Sequence, residues 1–120
     1  MTPEEQIDKA IGRHGMWKSE LRTAIDTGQS TFDPKVVRMD NQCEFGKWLL
    51  QDIDHDMKKS ETYKTIVGYH ADFHKEAARI LEMALNGDRV QAEEEMNLGS
   101  KFSAMSAALT TSMVEWKKML

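Results

Sequence analysis

Between Ser60 and Gly87 the apolar side chains recur every three or four residues. Tyr63, Ile66, Val67, Phe73, Ala77, Ile80, Leu81 and Ala84 form the stripe, and His70 and His74 fill two further places in it. A 3.6-residue period held over this length describes a helix laid along an apolar layer. Ser60 suits its N-cap, and Asn86-Gly87 its stop. A second stripe runs through Ile7, Ala10, Ile11, His14, Trp17, Leu21, Ala24 and Ile25 to about Gly28. It opens on Thr2, Pro3 and Glu5, the pattern of a capping box with proline at the first helical position. A further helix, capped by Asp88, carries Phe102, Met105, Leu109, Met113 and Trp116. Asp33-Pro34 can cap a short turn, and Asp40-Asn41 can cap a short helix from about Asn41 to Asp52 with Cys43 in its first turn. Prolines occur only at positions 3 and 34, and no stretch alternates as a strand would. The expected fold is all-α, an antiparallel four-helix bundle in which one short helix carries the cysteine.

The 120 residues suit one domain, spanning 1–120, with enough core to fold without a metal or disulfide. Net charge is −4, which offers no basic field for nucleic acid. No apolar run approaches the length of a membrane span, so no direct membrane insertion is expected. No basic segment leads into an apolar signal sequence, and the single cysteine cannot form an internal disulfide. A reduced, cytoplasmic setting is therefore expected.

The histidines carry the chemistry. His14, His70 and His74 occupy stripe positions where isoleucine or leucine would serve, and burying an unpartnered imidazole is costly. A lone core histidine is more often hydrogen-bonded to a carbonyl than bound to a metal. Three of them together with Cys43 shift that balance. His70 and His74 stand one turn apart on one helix face. At 1.5 Å per residue His14 lies about 18 Å from the start of its helix and His70 about 15 Å from the start of its own, so neighbouring antiparallel helices would bring them level. Three imidazoles and a thiolate make the closed tetrahedral shell that zinc prefers, and a helix N-terminus favours the thiolate. His55, between Asp54 and Asp56 in a polar connection, reads as solvated surface.

His14-x-x-Trp17, Cys43-x-Phe45-Gly46-x-Trp48 and His70-x-x-x-His74, in this order and spacing, resemble the bacterial chemoreceptor zinc-binding domain. The resemblance runs from the first helix to the third, and the fourth is compatible with it. It implies a cytoplasmic regulatory bundle holding one Zn2+ per chain through His14, Cys43, His70 and His74. It also implies a homodimer, serving a chemotaxis receptor or diguanylate cyclase in cis or in trans. The 120 residues leave no stretch for an output domain of their own, so either an excised domain or a stand-alone protein is expected. Trp17 and Trp48 could wall the site from water or simply fill the core, and Gly46 would let the short helix lie close to a neighbour.

A closed shell leaves no open position for metal-activated water, and Ala71 stands where a zincin would carry glutamate, so no enzyme is expected. Zinc would clasp three helices, with the short one the readiest to release. Oxidation of Cys43 would act on the same clasp. Two other readings compete: a hemerythrin-like di-iron bundle, which would need inward carboxylates that the stripes lack, and a purely structural interaction bundle. The methionines are scattered and read as flexible filler. Glu93-Glu94-Glu95 reads as a solvated face. Ser103, Ser106, Ala107 and Thr110 make a small-residue strip that is either a dimer face or plain surface.

Overall fold

The computed structural model describes residues 2–120. Helix α1 (Pro3–Gly15) begins on the capping box read from the sequence: Thr2 accepts from the Glu5 backbone, and the Glu5 carboxylate reaches back to Thr2. Met16 separates it from α2 (Trp17–Thr27), so the expected single helix to Gly28 is interrupted after Gly15. The interruption is slight, since Met16 keeps right-handed dihedrals (φ −68°, ψ −17°). Just before it, the His14 Nδ1–H donates at 2.8 Å to the Ala10 carbonyl one turn back. Gly28, with φ of 73°, closes α2.

The short second helix is smaller and more broken than the expected run from about Asn41 to Asp52. Asp33 caps a single turn, α3 (Pro34–Val37), through a 2.9 Å bond from the Lys35 N–H. Helix α4 (Glu44–Lys47) follows, and Trp48–Asp52 then widens into a π-helical turn. Asn41 lies outside any helix, and Cys43 is the N-cap of α4 rather than a member of its first turn. The widening has tertiary partners: the freed Leu49 carbonyl accepts from Tyr63 Oη at 2.9 Å, and that of Leu50 from Lys58 Nζ at 3.2 Å.

A 3-10 turn (His55–Lys59) with no buried residue leads into α5 (Glu61–Leu85), capped by Ser60 as expected. The expected fourth helix is also divided, into α6 (Arg89–Met96) and α7 (Lys101–Lys118). Gly99 takes φ of 87° between them, and Ser100 recaps the chain by accepting from the Ser103 N–H.

The described residues are all helical, without a strand. Helix α5 is the central rod, packed against α2, α3, α6 and α7, while α1 lies on α7 and α4. Its 25 residues rise about 37 Å, most of the molecule's longest extent of 45 Å. Leu21, Ile66, Phe73, Ile80, Leu81, Phe102, Leu109 and Met113 are fully enclosed around it. Glu76, absent from the apolar stripe, is buried as well. Arg79 holds its carboxylate at 2.7 Å and Lys101 at 3.2 Å, and Arg79 continues to Glu95 at 2.8 Å. This network ties α6 and α7 to the central rod.

Candidate metal centre

His14, Cys43, His70 and His74 converge from α1, the N-cap of α4 and α5, each offering one donor atom within 4.8 Å of the others. The two imidazoles of α5 come together at their Nε2 atoms, 3.0 Å apart. Cys43 Sγ lies 3.3 Å from His70 Nε2 and 3.5 Å from His74 Nε2. A tetrahedral zinc shell with bonds near 2.05 Å to nitrogen and 2.3 Å to sulfur separates its donors by about 3.4 Å (N to N) and about 3.6 Å (N to S). The α5–Cys43 half of the cluster already has close to that spacing.

The hydrogen bonds around the cluster fix which nitrogens face it. His74 donates Nδ1–H to the Val37 carbonyl at 2.9 Å, and His14 donates Nδ1–H to that of Ala10 at 2.8 Å. A carbonyl can only accept, so Nδ1 carries the proton in both rings and Nε2 keeps a lone pair. His14 Nε2 is buried and has no protein partner. An orphaned buried acceptor is costly, and a cation among these four donors would satisfy it. The donor set fits zinc: three imidazoles, one thiol and, among the described residues, no carboxylate within the cluster. The oxygen-rich set of a di-iron centre is not what this cluster offers.

Burial sets the electrostatics. It pushes His14 down from 6.5 to about 4, and it pushes His70 down to about 2, with the neighbouring His74 and His14 adding to the effect. His74 is lowered too, although the Val37 carbonyl and Asp40 pull the other way. All three are therefore neutral imidazoles at pH 7, the form that binds metal. The Cys43 thiol is pushed up by burial. The Gly46 N–H donates to Sγ at 3.2 Å, the effect expected of a helix N-terminus, but desolvation outweighs it in the metal-free frame. A dication held by these four residues would reverse that order by stabilising the thiolate directly.

The surroundings separate the two roles that the sequence left open for Trp17 and Trp48. The rings that wall the cluster are Phe45, 5.8 Å from His14 and 5.2 Å from His70, and Phe73, 5.3 Å from His14. Trp48 instead packs against Trp116 at 5.8 Å, in the core. Trp17 stands at the rim, 4.9 Å from Phe32, beside a half-open cleft of about 340 Å³ that reaches His14, Cys43 and His74. Gly46 does permit a close approach, chiefly of the loop to its own helix. A methyl group there would overlap the Asp40 carbonyl and press on His70. The Ala10 and Val37 carbonyls leave no trace in residue identity, whereas Phe73 was legible as a stripe position between the two histidines. His55 is exposed and stands apart from the cluster.

The family model of the chemoreceptor zinc-binding domain matches residues 14–81, beginning at His14 and including Cys43, His70 and His74. The chain belongs to the chemoreceptor zinc-binding domain family. The match runs from the first expected helix into the third, ending within α5, which is the span the resemblance drew on. No match was found among curated proteins or among solved structures. No helix among the described residues is long and apolar enough to cross a membrane.

Proposed function

We propose that this chain is a regulatory zinc-binding domain that holds one Zn2+ through His14, Cys43, His70 and His74. The convergence of four donors carries the reading, two of them imidazoles whose Nδ1–H groups are committed to carbonyls. Membership of a zinc-binding family supports the choice of metal. When bound, zinc supplies a Lewis-acidic cross-link and keeps the thiolate ionised. The protein's own part is to orient the rings, exclude water with Phe45 and Phe73, and bring Cys43 to the shell on a short segment.

In this reading residues 1–120 form one domain, an antiparallel four-helix bundle in which α1–α2 and α6–α7 each act as one interrupted rod. The closed shell leaves no coordination position for a substrate, so the role is regulatory rather than enzymatic. Loss of the metal leaves three neutral imidazoles and a thiol in an apolar layer, and the segment bearing Cys43 relaxes. An output domain or a chemoreceptor or diguanylate cyclase partner, in cis or in trans, reads that change in the cytoplasm. A homodimer would present two such segments to it.

One observation favours a redox form of the same switch: Cys43 is the only donor of the four that is not buried, and the cleft reaches it. Oxidation of the thiolate would remove one donor. Elemental analysis of the purified protein tests the main reading. About one zinc per chain supports it, and zinc-free protein that cannot be loaded at pH 7.5 ends it.

A further inference from the structure

His14 and His74 share one arrangement that His70 lacks. In both, Nδ1–H is committed to a main-chain carbonyl, which leaves a lone pair on Nε2 toward the cluster. His70 is fully enclosed, and its Nδ1 has no hydrogen-bond partner among the described residues. A metal-binding imidazole almost always gives its outer N–H to a carbonyl, a carboxylate or water. His70 is therefore set up differently from its two companions.

Its contacts show where its proton lies. His70 Nε2 is 3.0 Å from His74 Nε2, which presents a lone pair because the His74 proton is held by the Val37 carbonyl. Two lone pairs facing each other at that distance repel, whereas one N–H between them makes a good hydrogen bond. Only His70 or Cys43 can supply that proton. Cys43 Sγ is further off, 3.5 Å from His74 Nε2, and a thiol is a weak donor. With its proton on Nδ1, His70 would bury an N–H that nothing accepts and would keep the facing lone pairs as well. With the proton on Nε2 it gains the bond to His74, and only an acceptor at Nδ1 goes unmatched. The second arrangement is better by one hydrogen bond.

The ring has little freedom to respond in another way. Phe45, His14 and His74 meet it edge-on, with centroids 5.2, 5.0 and 4.5 Å away. Its Cε1 edge faces Gly46, where an added methyl would press on it. Turning the ring over in this packing is harder than moving a proton between its two nitrogens.

We infer that a proton on His70 Nε2 holds the place of the metal: it joins His70 to His74 until zinc arrives, and loading transfers it to Nδ1. The exchange balances. The Nε2–H bond breaks and its proton passes to water; the freed lone pair goes to the cation, and a proton from water forms the Nδ1–H bond. His70 is neutral at both ends of the change. His14 and His74 need no such step, since their outer nitrogens are protonated throughout. The His70–His74 bond stands on the hydrogen-bond geometry, while the transfer deepens the zinc reading and rests on it.

Long-range 1H–15N correlation spectra of the three imidazoles test it, recorded at pH 7.5 on chelated and on zinc-loaded protein. In the chelated protein His70 should show a protonated Nε2 and a bare Nδ1, the reverse of His14 and His74. With zinc its proton should be found on Nδ1, and His14 and His74 should keep theirs in place. A His70 that is protonated at Nδ1 before loading, or that shows an even mixture of the two forms, overturns the inference. So does a zinc-loaded protein in which His70 still carries Nε2–H. Zinc content of the same samples separates the two claims. A loaded protein whose His70 proton stays put refutes the transfer alone, and a protein that takes up no zinc refutes the metal reading and the transfer with it.

Discussion

Helix α5 and the segment from Gln29 to Lys47 both supply donors to one cluster, but they hold them in different ways. His70 and His74 stand on a 25-residue helix, 0% and 3% exposed, within a stripe whose neighbours are fully enclosed. Cys43 stands between two helices of four residues each. That segment is held by the buried Val37 and Phe45 side chains, the Val37 carbonyl on His74, the seating of Asp40 against Gly46, and exposed ion pairs from Arg38 to Glu82 and from Lys9 to Glu44. Exposed pairs contribute little. The α5 half of the site is thus the more strongly preorganised by the core, and the Cys43 half rests on fewer buried side chains.

The largest disturbance of that balance should come from Gly46→Ala. The added methyl meets backbone at the Asp40 carbonyl, which cannot rotate away as a side chain would. A loss of about 3 kcal/mol, the upper part of the usual overpacking range, is expected in thermal or urea unfolding together with weaker zinc binding. A wild-type unfolding curve would mean that the segment yields freely and that its seating on Gly46 does not matter.

Removing the metal should separate the two regions next. Amide exchange from about Val36 to Lys47 should rise roughly tenfold on chelation, equivalent to about 1.4 kcal/mol, while the middle of α5 stays protected. Equal change in both would erase the contrast.

A smaller effect is expected from pH. In the metal-free protein His14 titrates near 4 and His70 near 2, against 6.5 for an unperturbed imidazole. Between those values the unfolded chain binds more protons than the native one, so stability is full above about pH 6.5 and falls as pH is lowered toward 4. The melting temperature of the metal-free protein should drop by several degrees between pH 7.5 and 5. A flat profile would mean that these rings are already solvated.

The preorganised half was also the legible half. The stripe on α5, its Ser60 cap and its Asn86-Gly87 end are local signals, and the structure follows them. The placement of His14, His70 and His74 on apolar stripes likewise identified the cluster, because burial of an imidazole requires a reason. The Cys43 segment was harder to read. The π-helical turn after α4 is stabilised by Tyr63 and Lys58, which are 14 and 8 residues from the carbonyls they bind. The orienting group of His74 is a main-chain carbonyl 37 residues away, and any residue at that position carries one. The break before α7 did have a local signal, Gly99 followed by Ser100, which a single helix drawn from Asp88 passed over.

The central claim is that Cys43 closes a zinc shell begun by the histidines of α5 and α1. Competitive zinc titration of the wild type against Cys43→Ala at pH 7.5 tests it most directly. The account predicts one site per chain in the wild type and a loss of affinity in the variant greater than the 10–100-fold that removal of a mere outer partner costs. Equal affinity in the two proteins would contradict it.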